Sequence, residues 1–197
     1  MEGPDSKNEL RRKFRALRRN LDPLQREARD RSINDCVVSL IADTGAKSVS
    51  AFLAFDGEPD LRPALDQLSR SGVMLVLPAI VNDAAGKKTL EFRRWHPGAQ
   101  VSRNSFGIDE PDPQQPVHVR EIDVLLIPLV AWDPRGNRLG MGAGYYDHAL
   151  AALGNSGRPR RIGVGYSIQR TDELNAQPWD VRLHEVITEY GRFTCTT

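Results

Sequence analysis

The chain has 197 residues, of which 40% are hydrophobic and 27% are charged. This balance is ordinary for a globular chain that buries a core, and we expect a single domain over residues 1–197. The 27 basic side chains nearly cancel the 26 acidic ones, which excludes a protein that binds nucleic acid by bulk charge alone.

Cysteine content and hydropathy indicate the cellular setting. Cys36 and Cys195 are too few and too far apart for a disulfide scaffold or a zinc ribbon, and they favour a reducing compartment. Residues 1–22 are polar and basic, and no uninterrupted apolar stretch is long enough to span a membrane. We therefore expect a cytosolic protein without a membrane or nucleic-acid partner. The sequence does not predict an oligomeric state.

The first predicted element is a helix over residues 7–20, with Ser6 as N-cap and Glu9 completing a capping box. Leu10, Phe14 and Leu17 form one apolar stripe. Two interpretations of the basic residues remain open. Such a run is usually a solvated face, but Lys7 and Arg11 share one face and could hold a polyphosphate from one side. The basic residues of this helix lie outside the apolar stripe, and they are Lys7, Arg11, Arg12, Lys13, Arg15, Arg18 and Arg19.

A second helix is predicted from Pro23 to about Ala42, with Asp22 as N-cap. Its candidate inward residues are Leu24, Ala28, Val37, Leu40 and Ile41.

The central part of the chain predicts an α/β fold. Residues 48–55, 60–71 and 73–80 are typical of strand, helix and strand, which indicates a parallel unit with a right-handed crossover. The nearly continuous apolar strand over 73–80 requires cover on both faces, as in a three-layer arrangement. Further strands are expected at 90–95, 122–129 and 161–166, a helix at 145–153, an extended loop at 111–116, and a last strand or edge segment at 185–190.

The segment over residues 133–147, DPRGNRLGMGAGYYD, lies between a predicted buried strand and a predicted helix. Its alternating glycines allow the backbone to approach a ligand closely, and the free N–H groups of such a loop bind anions. Arg138 adds a cation suited to phosphate, and Asp147 could hold a magnesium ion that also contacts the phosphates. A tight turn with packing glycines is the alternative, since the spacing matches neither a Walker loop nor a dinucleotide fingerprint.

Two further acids and three tryptophans are candidates. Glu58 follows the first predicted strand and could bind a substrate amine or amide, or be an ordinary loop acid. Asp180 is flanked by apolar residues and could have a metal or arginine partner, or cap a turn. The tryptophans are expected in the core more often than on a ligand platform, and they are Trp95, Trp132 and Trp179.

Taken together, the segments resemble the 5-formyltetrahydrofolate cyclo-ligase family, also called 5,10-methenyltetrahydrofolate synthetase. NRLGMGAGYYD is similar to the family signature R-L-G-x-G-G-G-[YF]-Y-D and is the most specific match. Supporting matches follow in order along nearly the whole chain: KNELR at 7–11, Glu58, LPAI at 77–80, NSFGIDEP at 104–111, DVLLIPLVAWD at 123–133, RIGVGYSIQ at 161–169 and WDVRLHEVITE at 179–189.

The resemblance implies a three-layer α/β/α fold with a mostly parallel sheet, related to ribose-phosphate isomerases and CoA-transferases and preceded by a basic N-terminal helix. It also implies ATP- and magnesium-dependent conversion of 5-formyltetrahydrofolate to 5,10-methenyltetrahydrofolate, with release of ADP and phosphate. By this resemblance Asp147 and Asp180 would hold magnesium, and Glu58 would bind the folate together with residues 141–145. The residues implied to bind ATP are Lys7, Arg11, Arg138, Leu139, Gly140, Met141, Gly142, Ala143, Gly144, Tyr145 and Tyr146.

Two positions depart from the family pattern. Ala143 replaces a usual glycine, and Met141 occupies a position often held by arginine. We expect Ala143 at negative φ, with at least one flanking glycine at positive φ. The alternatives are a non-catalytic folate- or nucleotide-binding protein and a sugar-phosphate isomerase of related fold. The retained cations and paired aspartates disfavour both.

Overall fold

A mixed sheet of eight strands organises the chain in the computed structural model, which describes residues 6–83, 86–113, 115–151 and 158–196. The helices are α1 (Lys7–Arg19), α2 (Pro23–Thr44), α3 (Arg62–Arg70) and α4 (Tyr145–Ala151). The strands are β1 (Ser48–Ser50), β2 (Met74–Asn82), β3 (Lys88–Trp95), β4 (Val101–Arg103), β5 (Asp109–Pro111), β6 (Pro116–Val117), β7 (Val124–Pro128), β8 (Ala131–Trp132), β9 (Arg138–Leu139), β10 (Arg160–Val164), β11 (Glu185–Thr188) and β12 (Gly191–Thr194).

The order of the main sheet is β12-β11-β10-β7-β1-β2-β3-β6. The five strands from β11 to β2 are mutually parallel, and antiparallel strands extend the sheet at both sides. Two small hairpins, β4–β5 and β8–β9, lie outside it. The predicted parallel unit is confirmed, because β1 pairs with β2 in parallel through the α3 crossover.

Alternating side chains of the central strands fill two separate cores. In β7, Val124 and Leu126 pack with residues of α2 and α3 on one face, whereas Leu125 and Ile127 pack with Leu150 of α4 on the other. Apolar residues on both faces of a strand require cover on both faces, which produces the expected three layers.

The two N-terminal helices begin as predicted. The Ser6 hydroxyl accepts a hydrogen bond from the Glu9 backbone and the Glu9 carboxylate accepts one from the Ser6 backbone, which completes the capping box. Asp22 caps α2. The predicted inward positions of Leu24 and Ala28 are wrong, since both residues are exposed, Leu24 by 77%, in the first two turns, where α2 has not yet reached the core.

The apolar stripe predicted for α1 is only partly correct. Phe14 is buried, but Leu17 is exposed and Arg18 is completely buried. Because the docked face of α1 contains positions 7, 11, 14 and 18, it is mainly cationic. The prediction of a solvated face therefore fails for Arg18, whose burial depends on acceptors elsewhere in the chain.

Several predicted boundaries also change. β1 ends at Ser50, and residues 51–55 leave the ladder after the Ala51 N–H donates to the Val76 carbonyl. Residues 185–190 are not an edge, because the chain turns at Gly191 and adds β12 outside β11. Two-residue and three-residue strands flank the predicted loop over 111–116. The last part of the helix predicted over 145–153 lies outside the described residues.

Candidate active site

A cavity of about 790 Å³ lies where the carboxyl ends of β1, β2 and β7 meet. Phe52 and Leu53 follow β1, Pro78 belongs to β2, and Leu129 and Val130 follow β7. Ligands of open parallel sheets bind at this end of the strands, so this cavity is the candidate active site.

The tertiary structure brings every predicted site residue to this one cavity. They come from α1, from the loop after β1, from the glycine segment with the start of α4, and from a turn near residue 180. The lining includes Lys7, Arg11, Glu58, Arg138, Leu139, Gly140, Met141, Gly142, Ala143, Gly144, Tyr145, Tyr146, Asp147 and Asp180.

Helix α1 contributes both of its predicted cations to the wall. The Arg11 Nε donates to the Gly140 carbonyl at 2.9 Å, and the Lys7 Nζ lies 3.5 Å from Asp180 Oδ2. Arg12 and Lys13 are exposed. Lys7 and Arg11 are therefore held against the cavity by residues far away in sequence, which the interpretation of a merely solvated face does not explain.

The glycine segment has the backbone that its spacing predicts. Gly142 has φ +112° and Gly144 has φ +68°, whereas Ala143 is not at positive φ. Among the described residues no acceptor takes a hydrogen bond from the N–H groups of 141–144. A side chain on Gly142 would begin 3.4 Å from the Arg11 guanidinium carbon, at van der Waals contact, so the Gly142 backbone lies directly beside Arg11 and the positive φ is what requires glycine.

Arg138 and the two aspartates form one connected group. Arg138 Nη2 donates to Asp147 Oδ1 at 2.6 Å, and Asp147 Oδ1 also accepts from the Val181 N–H at 3.0 Å. Asp180, the residue before Val181, accepts from the Gln177 N–H through Oδ2 at 2.9 Å. Both aspartates line the same cavity although 33 positions separate them in sequence (180 − 147).

Glu58 lies deep in the cavity wall. Its Oε2 accepts from the Phe55 N–H at 3.1 Å, and its Oε1 lies 3.6 Å from Arg18 Nη2. Burial raises the pKa of Glu58 to about 7, and the charge of Arg18 opposes this rise. Tyr146 places a buried hydroxyl in the same wall, and this hydroxyl has no hydrogen-bond partner among the described residues.

Several lining residues have no predicted role. Phe106 and Glu110 come from the 104–111 segment, and Arg15 comes from α1. Trp132 is buried as expected, but Trp179 is 67% exposed and lines the cavity, so its expected core position is wrong. The spacing of the tryptophans carries no signal of this difference, because it contains no information on which distant segments pack against each ring.

Magnesium is the cofactor implied by the family, and the donor set fits it. Hard cations prefer oxygen, and magnesium typically takes one or two carboxylates with substrate phosphates and water. Asp147 Oδ2 and Asp180 Oδ1 accept no hydrogen bond from the described residues. Within the same residues no group of three or more metal-binding side chains occurs.

The layered fold and its cavity define an α/β enzyme whose site joins α1 to the parallel sheet. The comparisons with known proteins identify it further. A model of the 5-formyltetrahydrofolate cyclo-ligase family matches residues 4–189. The 5-formyltetrahydrofolate cyclo-ligases of Escherichia coli (strain K12) and Haemophilus influenzae are 34% and 32% identical, over 89% and 92% of this chain and 96% of each relative.

A solved structure agrees with these sequence matches. The 5,10-methenyltetrahydrofolate synthetase of Aquifex aeolicus superposes with a TM-score of 0.81 and 29% identity, over 97% of this chain and 93% of that one. The chain belongs to the 5-formyltetrahydrofolate cyclo-ligase family. It is therefore a ligase of folate metabolism rather than a non-catalytic binding protein or a sugar-phosphate isomerase.

No helix among the described residues is both long and apolar enough to cross a bilayer.

Proposed function

We propose that this enzyme converts 5-formyltetrahydrofolate to 5,10-methenyltetrahydrofolate with consumption of ATP, in the presence of magnesium. One observation carries the proposal. Cations of α1, the glycine segment and two aspartates face a single cavity together with the buried acid Glu58. The cations, the glycine segment and the aspartates suit a nucleotide triphosphate, and Glu58 suits the amine-rich ring of a folate.

The phosphate side of the site extends from Lys7 and Arg11 to Arg138. Arg11 is fixed by its bond to Gly140, which places its guanidinium beside the free N–H groups of residues 141–144. A guanidinium and several N–H groups together match the oxygens of a polyphosphate. We assign ATP binding to Lys7, Arg11 and Arg138 with the backbone of residues 139–146.

Asp147 and Asp180 would hold magnesium at this side. Arg138 and the Val181 N–H orient Asp147 through Oδ1, and the Gln177 N–H orients Asp180 through Oδ2. Each aspartate therefore presents its other oxygen to a ligand. When bound, the metal would neutralise charge on the phosphates.

The folate side is formed by Glu58 and the exposed residues 141–143, with 144 and 145 beside them. A carboxylate accepts two N–H donors at once, as the amino-pyrimidine edge of a pterin offers. Apolar residues such as Phe52, Leu77 and Ile80 line the cavity near this acid and exclude water from the ring.

The reaction needs no protein nucleophile. The formyl oxygen attacks the γ-phosphorus, an O–P bond forms, and the bond to the bridging oxygen breaks to release ADP. The neighbouring nitrogen of the folate then attacks the activated carbon, loses its proton, and expels phosphate as the C–O bond breaks. The protein brings the two substrates together and stabilises the transferred phosphoryl group with fixed cations and N–H groups.

A spectroscopic assay tests the proposal. The protein is mixed with 5-formyltetrahydrofolate, ATP and magnesium, and the absorbance of the methenyl product is followed together with ADP. We expect one ADP per product, and no product when ATP or magnesium is omitted. ADP formation that does not depend on folate, or product formed without ATP, would contradict it.

The cytosolic location, the single domain over residues 1–197 and the absence of a nucleic-acid partner stay predictions. Both cysteines are free, which agrees with a reducing compartment. Cell fractionation and limited proteolysis test the first two expectations.

A further inference from the structure

Arg18 is the most deeply buried cation near the site, and each of its three nitrogens donates one hydrogen bond. Nε donates to the Asp56 carbonyl at 2.9 Å, Nη1 donates to the Leu129 carbonyl at 3.0 Å, and Nη2 donates to Asp56 Oδ2 at 2.9 Å. A buried guanidinium is tolerated only when such partners surround it. Arg18 therefore joins α1 to the chain that follows β1 and to the chain that follows β7.

This residue acts on a different side of the cavity from Lys7 and Arg11. Arg18 lies eleven residues after Lys7 in α1 (18 − 7), which corresponds to about 16 Å along a helix axis. The cavity acid next to Arg18 is Glu58, whose Oε1 lies 3.6 Å from Arg18 Nη2. The Arg18 side chain is completely buried. It therefore supports the wall without access to a ligand.

The turn that carries Glu58 is unusual. Asp56 has φ +56° and is the one non-glycine residue at positive φ within the described ranges. Arg15 Nε donates to its carboxylate at 2.7 Å, and Arg18 and Arg19 also pair with it. Side-chain contacts with α1 thus hold the backbone in a conformation that an aspartate seldom adopts alone, two residues before Glu58.

The charges around Glu58 are few. Arg18 faces it from α1, the neutral hydroxyl of Tyr146 faces it from α4, and the Phe55 N–H donates to it from its own loop. The Asp56 carboxylate contacts the same nitrogen, since its Oδ2 lies 2.9 Å from Arg18 Nη2, and it also pairs with Arg15 and Arg19 of α1. Arg18 is therefore the cation that favours the charged form of this buried carboxyl.

We propose that Arg18 is a positioning residue, which holds the Glu58 carboxylate charged and directed into the cavity for folate binding without touching the substrate. The part that concerns folate rests on the proposed function.

The test compares Arg18→Met and Arg18→Lys with Arg12→Met, an exposed arginine of the same helix. Two quantities are measured for each variant: the pH dependence of kcat/KM for 5-formyltetrahydrofolate, and the KM for ATP. We expect Arg18→Met to raise the midpoint of the acidic limb by at least about one pH unit, which lowers kcat/KM near pH 7 roughly fivefold or more. Activity should recover above pH 9, and the KM for ATP should stay within about twofold, as in Arg12→Met.

A purely structural role predicts a different result. Misdocking of α1 would lower kcat/KM equally at every pH and would raise the KM for ATP through Lys7 and Arg11. Either outcome overturns the proposal, as does a pH profile identical to that of Arg12→Met.

A second measurement does not depend on turnover or on the stability of Arg18→Met. The Glu58 carboxyl is titrated by NMR in protein labelled with carbon-13 at the glutamate side-chain carboxyl, with Glu58→Gln to assign the signal. Arg18→Lys, which keeps the charge but cannot make three separate contacts, should titrate at higher pH than the wild type. An unchanged midpoint overturns the proposal. Inactive wild-type protein with a shifted midpoint would instead refute the proposed folate reaction and leave the control of Glu58 by Arg18 intact.

Discussion

Glu58 should weaken the folded state at neutral and alkaline pH, because burial opposes its charge. Its pKa rises from the ordinary value of 4.5 to about 7 in the folded protein. Between these values the folded protein retains a proton that the unfolded chain has released. The free energy of unfolding therefore falls as pH rises through this window, and the full cost is present above pH 7. At 1.36 kcal/mol per pKa unit the cost is about 3 kcal/mol.

Glu58→Gln removes the charge and keeps the shape of the side chain. We expect the free energy of unfolding at pH 8 to increase by about 1–3 kcal/mol, and to change by less than about 1 kcal/mol at pH 5, where the folded wild type is already mostly neutral. The gain in the free energy of unfolding is smaller than the full cost of burying the charge, because an amide pairs with Arg18 less well than a carboxylate does. Urea unfolding followed by circular dichroism measures both values.

The exposed acid Glu173 provides the control, since Glu173→Gln should change stability equally at both pH values. The gain in stability should come with a loss of function. Charge-assisted hydrogen bonds contribute about 1.5–3 kcal/mol each, so kcat/KM for folate should fall at least about tenfold while the KM for ATP is unchanged. Destabilisation of Glu58→Gln at pH 8 would refute the reasoning, because it would mean that Arg18 outweighs the cost of burial.

Three further substitutions test the phosphate side. Asp147→Asn should raise the magnesium concentration for half-maximal turnover at least about tenfold, because it weakens an oxygen ligand; an unchanged magnesium titration would exclude the assignment. Arg11→Ala should raise the apparent ATP constant at least about tenfold through loss of a charged contact, whereas Lys13→Ala, at an exposed position of the same helix, should not. Ala143→Gly should change activity less than about twofold, since Ala143 is not at positive φ. A large gain in turnover would show that the methyl group obstructs the site.

The helix ends and the parallel unit could be predicted because their causes are local. The Ser6–Glu9 capping box and the Asp22–Pro23 start satisfy donors within one turn of chain. An apolar strand on each side of a helix permits few topologies. The glycine segment is similar, since glycines on both sides of Ala143 indicate a backbone at positive φ before any neighbour is known.

The docked face of α1 could not be predicted in this way. Periodicity ranks residues by hydrophobicity, and it therefore placed Leu17 inside and Arg18 outside. Arg18 is tolerated in the interior because two carbonyls and the Asp56 carboxylate, 38 or more residues away in sequence, accept a hydrogen bond from each of its three nitrogens. Similarly, hydrophobicity predicts Trp179 in the core, whereas the tertiary structure leaves it 67% exposed at the cavity.

The sequence alone thus determined the order of the elements, the membership of the family and the residue types at the site, since each depends on short segments of chain. The tertiary structure decided which of those residues share a cavity and what charge they carry. Glu58 is an unremarkable loop acid in the sequence, and its raised pKa exists only because the ends of β1 and β7, α1 and α4 together exclude water from it. Desolvation and charge pairing depend on distances in space, and these distances arise when segments far apart in the chain pack together.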